Sequence, residues 1–521
     1  MKKIIIYPFV FAVYPVLFLF FNNLGELGFF DVFPKLLFFI FIYFLLWVVL
    51  FIVLRNLNLA SVISSVLFLW IFLYGSFCFL FSNLLIEYIF IRERFLLAFW
   101  VFVLVCLFVA LMIYFRRNKQ LEKINYFFNV VAFVLVLGLV FNFLSYKLNN
   151  IHKRVDVNAL KSVKKMNSLG FIFSEKSKKR DVYYIILDAY SSDSVLKGLF
   201  GYDNSSFTNS LKKRGFYVAD KSFSNYAFTL ASLSSSLNMT YLDFVGRIMG
   251  QESNDISYLQ EMMKNAVVEK TFAQNGYEII NIGSWWKATS STPSTASFMD
   301  KILLDEFNML LLESSIFHPF SIQITFPVLR CRVIDQFKEI EEVSNNKNPT
   351  FVFAHILSPH PPFIFNSNGS KLKLPKGVAG WFDHSLYVPQ LRFINKKVMQ
   401  LVDSLLSKSK VKPIIIIQGD HGAGYLFEQD IKNKPTDIRN KPKHMGKLFS
   451  DANLKGQMRI LNAYYLPDVE FVNTSISPVN TFRLIFNWYF GGNFQILEDK
   501  SYFSSYFRPY KFINVTEKVK Y

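Results

Sequence analysis

The sequence predicts an N-terminal all-α transmembrane bundle of five helices, followed by an α/β domain with a central mixed, mostly parallel sheet. Hydrophobic residues make up 52% of the 521 residues and include 60 phenylalanines. Five long apolar runs precede residue 146, and short strands alternate with helices after residue 181. A chain of this length should hold more than one domain. We therefore predict a five-helix transmembrane domain at 1–146, a juxtamembrane linker at 147–180 and an extracytoplasmic domain at 181–521.

The five apolar runs have the length of membrane-spanning helices. Each has about 18 to 21 residues, is essentially uncharged, and so can cross the hydrocarbon core as a helix. A cleaved signal peptide would explain only the first run. Buried core helices are the alternative, which five consecutive runs disfavour. The runs lie at residues 4–21, 37–54, 62–81, 96–115 and 126–144.

Short basic segments predict the orientation of the bundle. The N-terminal MKK and RRNKQLEK at 116–123 should stay in the cytoplasm, and the slightly acidic connection after the first run fits the outer side. An odd number of spans then places everything after residue 146 outside. The net charge of +19 and the basic linker segment at 147–165 fit a surface close to anionic headgroups. Nothing in the sequence suggests nucleic acid, and three cysteines imply no disulfide framework.

The part after residue 181 has the pattern of an α/β fold. One helix is predicted at 388–406, because its apolar residues recur on one helical face. A generic α/β binding domain would show the same pattern. The strands are predicted at 182–187, 277–283, 351–357, 414–418 and 462–467.

Two predicted parallel strands end directly in side chains that can bind metals. Asp188 follows the first strand, and Asp420 with His421 follow IIIIQ at 414–418 in the sequence GDHG. Open α/β sheets place their ligands at the carboxyl ends of parallel strands. Two carboxylates and an imidazole suit a divalent cation such as zinc, manganese or magnesium. The alternatives are a polar turn between glycines and, for Asp188, a helix N-cap.

A hydroxyl stands at the start of the next predicted helix. Thr229 precedes LASLSSSL, and the backbone N–H groups of a helix N-terminus favour an incoming phosphate. Metal coordination would lower the pKa of such a hydroxyl and activate it as a nucleophile. An N-cap is the alternative role. The chemically competent rivals, which helical periodicity places beyond the exposed first turn, are Ser232, Ser234, Ser235 and Ser236.

The segment AHILSPHPPF at 354–363 holds two histidines. Its prolines fix an extended, rigid backbone around His360. The two imidazoles could bind phosphate oxygens, protonate a leaving group or ligate a second metal. For His355, which lies within the predicted strand, a purely structural role is the alternative.

In this order, the elements resemble the alkaline phosphatase superfamily. More closely, they resemble its membrane-anchored sulfatase-like branch, which includes phosphoethanolamine transferases and lipoteichoic acid synthases. The matching features are an Asp after the first strand, a hydroxyl on the next helix, the H…PHPPF segment and a strand followed by GDHG. The resemblance covers nearly the whole chain. It implies a sulfatase-like fold for the α/β domain, in a multi-pass protein of the bacterial inner membrane with this domain on the periplasmic or extracellular side.

The resemblance also implies a set of site residues and one bound divalent metal. Asp188, Asp420 and His421 would be metal ligands. Thr229 would be both a ligand and the nucleophile that forms a phosphothreonine intermediate. The residues implied for the substrate pocket are His355, His360, Trp285 and Trp286, with core burial as the alternative for the two tryptophans.

The activity implied by the resemblance is transfer of a phospho-alcohol headgroup, phosphoethanolamine or phosphoglycerol. The donor would be a membrane phospholipid and the acceptor a cell-envelope glycan or lipid. The alternatives are a phosphodiesterase or sulfuric ester hydrolase and, last, a catalytically silent membrane scaffold. Two departures bear on this choice. The first ligand is Asp188 where the transferases often have Glu, and Cys331 lacks the C/S-x-P-x-R context of a sulfatase.

Overall fold

The protein is described from a computed structural model, in which the chain forms two compact units. The first comprises residues 1–152 and 304–325, and the second comprises 153–303 and 326–521. Of the predicted linker, residues 152–170 lie outside the described part, and its boundaries stay a prediction. The described residues are 5–24, 28–82, 89–117, 121–151, 171–290, 296–297, 304–344, 346–372, 383–427, 450–470, 475–506 and 508–521.

The first unit contains apolar helices in the order that the sequence predicts. Four of them contain stretches long and apolar enough to cross a membrane, whereas the first has only 16 residues. The described residues therefore confirm an N-terminal region of apolar helices, and the count of five spans stays a prediction. The helices are α1 (Tyr7–Asn22), α2 (Phe29–Leu54), α3 (Leu57–Ser82), α4 (Ile89–Arg117) and α5 (Leu121–Ile151).

Polar side chains join these helices at buried positions. The Tyr43 hydroxyl on α2 lies 2.8 Å from the hydroxyls of Ser64 and Ser65 on α3. The Tyr7 hydroxyl on α1 donates to Asn125 Oδ1 on α5 at 2.9 Å. Small residues that allow close approach and interhelical hydrogen bonds are typical of helix packing in lipid, where the hydrophobic effect contributes little.

The later part of the chain alternates helices and strands, as predicted. Its helices are α6 (Asp193–Phe200), α7 (Ser205–Lys213), α8 (Thr229–Asn238), α9 (Asp243–Met249), α10 (Ser257–Lys264), α11 (Val267–Gln274), α12 (Lys287–Ser290), α13 (Glu306–Ser314), α14 (Ser321–Val343), α15 (Tyr387–Lys408), α16 (Asp451–Met458), α17 (Thr481–Phe490) and α18 (Thr516–Val519). Its strands are β1 (Val182–Leu187), β2 (Tyr217–Val218), β3 (Glu278–Ile282), β4 (Ala296–Ser297), β5 (Thr350–Ile356), β6 (Ile414–Gln418), β7 (Asn462–Tyr465), β8 (Tyr502–Ser505) and β9 (Arg508–Asn514).

Seven of these strands form one sheet in the order β2-β7-β6-β1-β5-β3-β4. Its central strands are parallel, β7 runs antiparallel to β6, and β2 runs antiparallel to β7. The prediction of a mixed, mostly parallel sheet is confirmed. Every residue of β1 is buried, which explains its uninterrupted apolar sequence, since a central parallel strand is covered on both faces.

The sheet order brings the predicted site segments to one edge. Strand β1 lies between β5 and β6 and is parallel to both, and Ile186 is in register with His355 on one side and Gln418 on the other. The carboxyl ends of all three strands therefore meet, so that Asp188 and Asp420 follow neighbouring strand ends. A separate pair of antiparallel strands, β8 and β9, lies outside this sheet.

Candidate metal and catalytic site

Three buried side chains at the carboxyl edge of the sheet form a group that could hold a metal ion. Asp188, His355 and Asp420 each offer a ligand atom, and these atoms lie within 4.8 Å of one another. Asp188 Oδ1, His355 Nε2 and Asp420 Oδ2 are buried without a hydrogen-bond partner. Burying unpaired carboxylate oxygens is costly unless a cation pairs with them. The donor set therefore fits a divalent metal.

His421 turns one ring nitrogen towards this group. Its Nδ1 lies 2.8 Å from the Gly422 carbonyl oxygen. Because a carbonyl only accepts hydrogen bonds, we assign the Nδ1 proton to this contact, which leaves the Nε2 lone pair free. That Nε2 lies 3.6 Å from Asp188 Oδ1 and 3.6 Å from Asp420 Oδ2. His421 is thus oriented as a fourth ligand would be.

Neighbouring ionisable side chains shift the pKa values of Asp188 and His421. Burial alone would raise the pKa of the Asp188 carboxyl, but His360, His355 and His421 together hold that pKa below its usual range. Burial alone would lower the pKa of His421, whereas Asp420 and Asp188 raise it above its ordinary value. Both shifts reflect electrostatic attraction between the carboxyl and imidazole groups of a buried site.

Thr229 lies next to this group and is not an N-cap. It is the first residue of α8, and the cap position belongs to Phe228, which makes no side-chain cap hydrogen bond. Thr229 Oγ1 lies 3.3 Å from His421 Nε2. The expectation of an exposed first turn is wrong, because all ten residues of α8 are buried and Thr229 is only 7% exposed.

The four serines of α8 are engaged elsewhere. Each hydroxyl donates to a backbone carbonyl, and that of Ser232 holds the Asp420 carbonyl at 2.7 Å. Their bonded positions leave Thr229 as the helix hydroxyl beside the metal-binding group. The other three acceptors are the carbonyls of Leu259 for Ser234, Thr240 for Ser235 and Leu233 for Ser236.

The glycines that flank Asp420 and His421 allow close backbone packing. A Cβ at Gly419 would collide with the carbonyl oxygen of Tyr190. A Cβ at Gly422 would collide with the carbonyl oxygen of Gly456 on α16. The GDHG pattern thus combines two ligand side chains with two positions where the neighbouring chain leaves no space for a side chain.

His360 borders the group and is half-buried. Its backbone N–H donates to the Asp188 carbonyl at 3.0 Å, and its Nδ1 lies 2.6 Å from the Pro361 carbonyl oxygen. The ring centroid is 6.2 Å from that of His421 and 5.7 Å from that of Tyr425. The Tyr425 hydroxyl is buried without a hydrogen-bond partner. Sequence reasoning missed Tyr425, whose only signal is its position four residues after His421.

The second ring nitrogen of His355 has its own partner. Its Nδ1 lies 2.8 Å from Thr289 Oγ1, while its Nε2 lies 3.4 Å from Asp188 Oδ2. The resemblance assigned His355 to the substrate pocket, whereas the structure places it among the candidate ligands. The ring of Trp286 lies 6.1 Å from that of His355. Trp285 is only 6% exposed, so its predicted contact with substrate stays a prediction.

Gln457 on α16 forms hydrogen bonds both to the chain just before Thr229 and to the loop that contains Tyr425. Its Nε2 donates to the Ala227 carbonyl at 2.7 Å, just before Thr229, and its Oε1 accepts from the Tyr425 N–H at 3.1 Å. Its carbonyl accepts from the Gly422 N–H at 2.7 Å. Sequence reasoning missed Gln457 because its partners lie about 30 to 230 residues away in the chain.

Comparison with solved structures finds matches at low sequence identity. The C-terminal periplasmic domain of EcEptC from Escherichia coli in complex with Zn is 13% identical, with a TM-score of 0.40 over 66% of this chain and 96% of that one. The C-terminal periplasmic domain of phosphoethanolamine transferase EptC from Campylobacter jejuni is 11% identical. The TM-score is 0.34, and the match covers 60% of this chain and 89% of that one. Lipoteichoic acid synthase LtaP from Listeria monocytogenes is 14% identical, with a TM-score of 0.34 over 63% and 77%.

These likenesses agree with the resemblance predicted from the sequence. No family model matches the chain, and no curated protein matches it.

Proposed function

We propose that the protein is a metal-dependent transferase of the cell envelope. It would move a phospho-alcohol headgroup, phosphoethanolamine or phosphoglycerol, from a membrane phospholipid to a glycan or lipid acceptor. The observation that carries this proposal is the position of Thr229 Oγ1, 3.3 Å from His421 Nε2 and beside the buried group of Asp188, His355 and Asp420. A nucleophilic hydroxyl, a metal-binding group and a helix N-terminus favour the same kind of substrate, a phosphate ester.

The residues of the site would have distinct roles. Asp188, Asp420, His421 and Thr229 would hold the metal, and His355 is placed to join them. A divalent metal bound there would neutralise charge on the phosphoryl oxygens and lower the pKa of the attacking hydroxyl. The N–H groups of the first turn of α8 would face the phosphate.

The reaction would proceed in two displacements. Thr229 Oγ1 would give up its proton to solvent and form a bond to the donor phosphorus, while the bond from phosphorus to the diglyceride oxygen breaks. The diglyceride leaves as the alcohol after taking up a proton, for which His360 is the nearest half-exposed imidazole that the structure describes. An acceptor hydroxyl then attacks the same phosphorus, gives up its proton, and releases Thr229.

The membrane helices would keep the site close to its lipid donor. Four helices have the length and composition of membrane spans, and a site tethered to the bilayer meets a lipid donor at a high effective concentration. We propose that five helices span the inner membrane and that the second unit lies on the periplasmic or extracellular side.

The test is donor turnover by the purified protein in liposomes that contain headgroup-labelled phosphatidylethanolamine or phosphatidylglycerol. Wild type should release diglyceride and pass the label to an added envelope glycan or lipid. Thr229→Ala should lose at least about 1,000-fold in rate, as removal of a covalent nucleophile does. Ser235→Ala is the matched control and should keep its activity, since that hydroxyl donates to the Thr240 carbonyl.

The acceptor dependence separates the alternatives. Label released only as the free phospho-alcohol, at a rate that no acceptor changes, would identify a phosphodiesterase and contradict the transferase. A protein that turns over no donor and purifies without metal would be a silent scaffold.

A further inference from the structure

A short uncharged stretch lies far from the N-terminal helices in the sequence. Between Glu313 and Arg330 there are sixteen residues, SSIFHPFSIQITFPVL, without any Asp, Glu, Lys or Arg. Sixteen residues are fewer than the roughly 20 of a full span, and apolar stretches shorter than a span form buried core helices or interfacial and re-entrant segments. The first part of this stretch falls within residues 304–325, which belong to the helical unit.

Residues 304–325 pack on the ends of α1 and α2 that are predicted to face outward. Lys35 Nζ on α2 pairs with Asp305 Oδ2 at 2.8 Å and lies 5.2 Å from the centre of the Phe307 ring. Phe307 and Leu311 on α13 are buried in a cluster with apolar residues of both helices. The helix residues of that cluster are Val13, Val16, Phe20, Val32 and Leu36.

The residues around Ser314 also contact α3 inside its candidate membrane span. A Cβ at Gly75 would lie 2.5 Å from the Glu313 carbonyl oxygen and 2.5 Å from Ser314 Cα. The rings of Tyr74 and His318 have centroids 6.5 Å apart. Both α3 residues lie inside the candidate span Leu57–Cys78. Gly75 is seven residues short of the end of α3 at Ser82, or about 10 Å at 1.5 Å per residue.

Many polar groups of residues 304–325, here called the segment, form hydrogen bonds within that range. The N–H groups of Ser315, His318 and Phe320 donate to carbonyls within the segment at 2.9–3.1 Å. The Ser315 and Thr325 hydroxyls also donate to carbonyls of the segment, at 2.7 and 2.8 Å. Internal satisfaction of this kind is what an apolar solvent demands of a polypeptide.

One face of the segment remains exposed and is strongly apolar. Its large side chains are exposed by 38–52%, and the stretch that carries them contains no Asp, Glu, Lys or Arg. The turn His318–Phe320 contacts α4, whose own Phe95 and Phe99 are exposed by 70% and 47%. The face consists of Phe317, Phe320, Ile322 and Ile324.

We propose that residues 314–325 form a membrane-inserted element whose apolar face contacts the acyl chains of the outer leaflet. The occupant is bulk lipid, because this face is continuous with exposed apolar side chains of the membrane helices and carries no charge that would select a headgroup. The chain would thus re-enter the bilayer between β4 and β5. This inference does not depend on the proposed reaction.

The test measures the depth of a fluorescent label in liposomes. Cysteine-free protein (Cys78, Cys106 and Cys331 replaced by Ser) carries a bimane at Phe320→Cys or, independently, at Ile324→Cys. Nitroxide on the acyl chains of the lipid and aqueous iodide serve as the two quenchers. Phe102→Cys, exposed within the candidate span Arg94–Tyr114, is the lipid reference, and Ser257→Cys, exposed on the second unit, is the reference for an exposed site outside the helical unit.

Both segment labels should be quenched by acyl-chain nitroxide to within about twofold of the Phe102 label and should be protected from iodide. Quenching by iodide with none by acyl nitroxide would overturn the proposal. Protection from both quenchers, lost on dilution of protein into excess lipid, would mean that a second copy of the chain covers the face and would equally overturn it. Each variant is compared only after it elutes as wild type in size-exclusion chromatography.

Discussion

Three of the candidate ligand side chains use one atom to fix their orientation and keep another for the centre of the site. Asp420 accepts the Ala189 N–H at Oδ1 (3.0 Å), which leaves Oδ2 unbonded. His421 uses Nδ1 on the Gly422 carbonyl, and His355 uses Nδ1 on Thr289. Such outer contacts orient metal ligands and tune their affinity. They also explain why the free atoms converge.

Thr289→Val tests whether the outer contact of His355 matters. The change removes the hydroxyl at 2.8 Å from Nδ1 and keeps the volume, so the ring loses its orienting partner. We expect metal affinity to fall about 10- to 100-fold, measured by titration of the metal-free protein. Thr271→Val is the control, because that equally buried hydroxyl only donates to the Val267 carbonyl within α11. Equal affinities in the two variants would contradict the role of Thr289.

Glu269 lies outside the metal-binding group, and its burial should make the stability of the protein depend on pH. It is 5% exposed, its Oε1 has no hydrogen-bond partner, and burial raises its pKa from 4.5 to about 8. A carboxyl whose pKa is higher in the folded than in the unfolded state contributes to stability. This contribution is fully present at any pH below the unfolded pKa. That contribution is lost as the pH rises from about 4.5 to about 8, at about 1.4 kcal/mol per pH unit.

Glu269→Gln removes this titration, so its stability relative to wild type should rise between pH 5 and pH 8. The measurement is the difference in Tm between variant and wild type at several pH values in detergent. Glu261→Gln, exposed on α10, is the control and should show no comparable slope. A Tm difference that stays constant with pH for Glu269→Gln would contradict the account of this residue.

Single residues differ in how well the sequence reveals them. Asp188, Asp420 and His421 could be predicted because each directly follows an apolar strand, and strand ends meet at one edge of a parallel sheet. Thr289 and Gln457 could not be predicted, since their partners are 66 and 230 residues away. Only the folded chain brings such residues together.

At the scale of elements, the loop after β6 depends on its packing against α16. The Gly422 N–H donates to the Gln457 carbonyl at 2.7 Å, and the positions of Gly422 and Gly424 leave no space for a Cβ against α16. This contact sets where Asp420 and His421 leave the strand. A helix that follows some 30 residues later in the chain therefore holds the ligand loop.

Gly422→Ala should displace this loop, because the new Cβ would meet the Gly456 carbonyl oxygen. We expect metal affinity to fall at least about tenfold and Tm to fall as well, since overpacking costs about 1–3 kcal/mol. Gly198→Ala on α6 is the matched control. A Cβ there meets nothing within 4 Å, so Tm should stay equal or rise, given the helix propensity of Ala. If Gly422→Ala behaved like Gly198→Ala, the packing argument would be wrong.

The apolar N-terminal helices and five strands of the sheet could be predicted from the sequence, and most of the shorter helices could not. The strands 182–187 and 414–418 are found at their predicted bounds, and the helix predicted at 388–406 is α15, because apolar periodicity records which faces are buried. The sequence did not predict that α8 is buried on all sides, since its serines satisfy their hydroxyls on carbonyls. It also did not predict that residues 304–325 join the helical unit, because that contact links segments about 270 residues apart.

At the scale of the whole molecule, the proposed orientation can be tested with cysteines. Cys331 on α14 is exposed and belongs to the second unit. If that unit lies outside, a membrane-impermeant maleimide should label wild type in intact spheroplasts, and Cys331→Ser should abolish the labelling. In a Cys331→Ser background, Asn56→Cys between α2 and α3 should react only after permeabilisation. The reverse pattern would contradict the orientation.

The central claim is that Thr229 becomes covalently phosphorylated by a lipid donor. The most direct measurement is the intact mass of the full-length protein after incubation with envelope phospholipids, with wild type beside Thr229→Ala. A phospho-alcohol adduct should form on wild type and be absent from Thr229→Ala, and its mass should match phosphoethanolamine or phosphoglycerol. An adduct that persists in Thr229→Ala would contradict the claim.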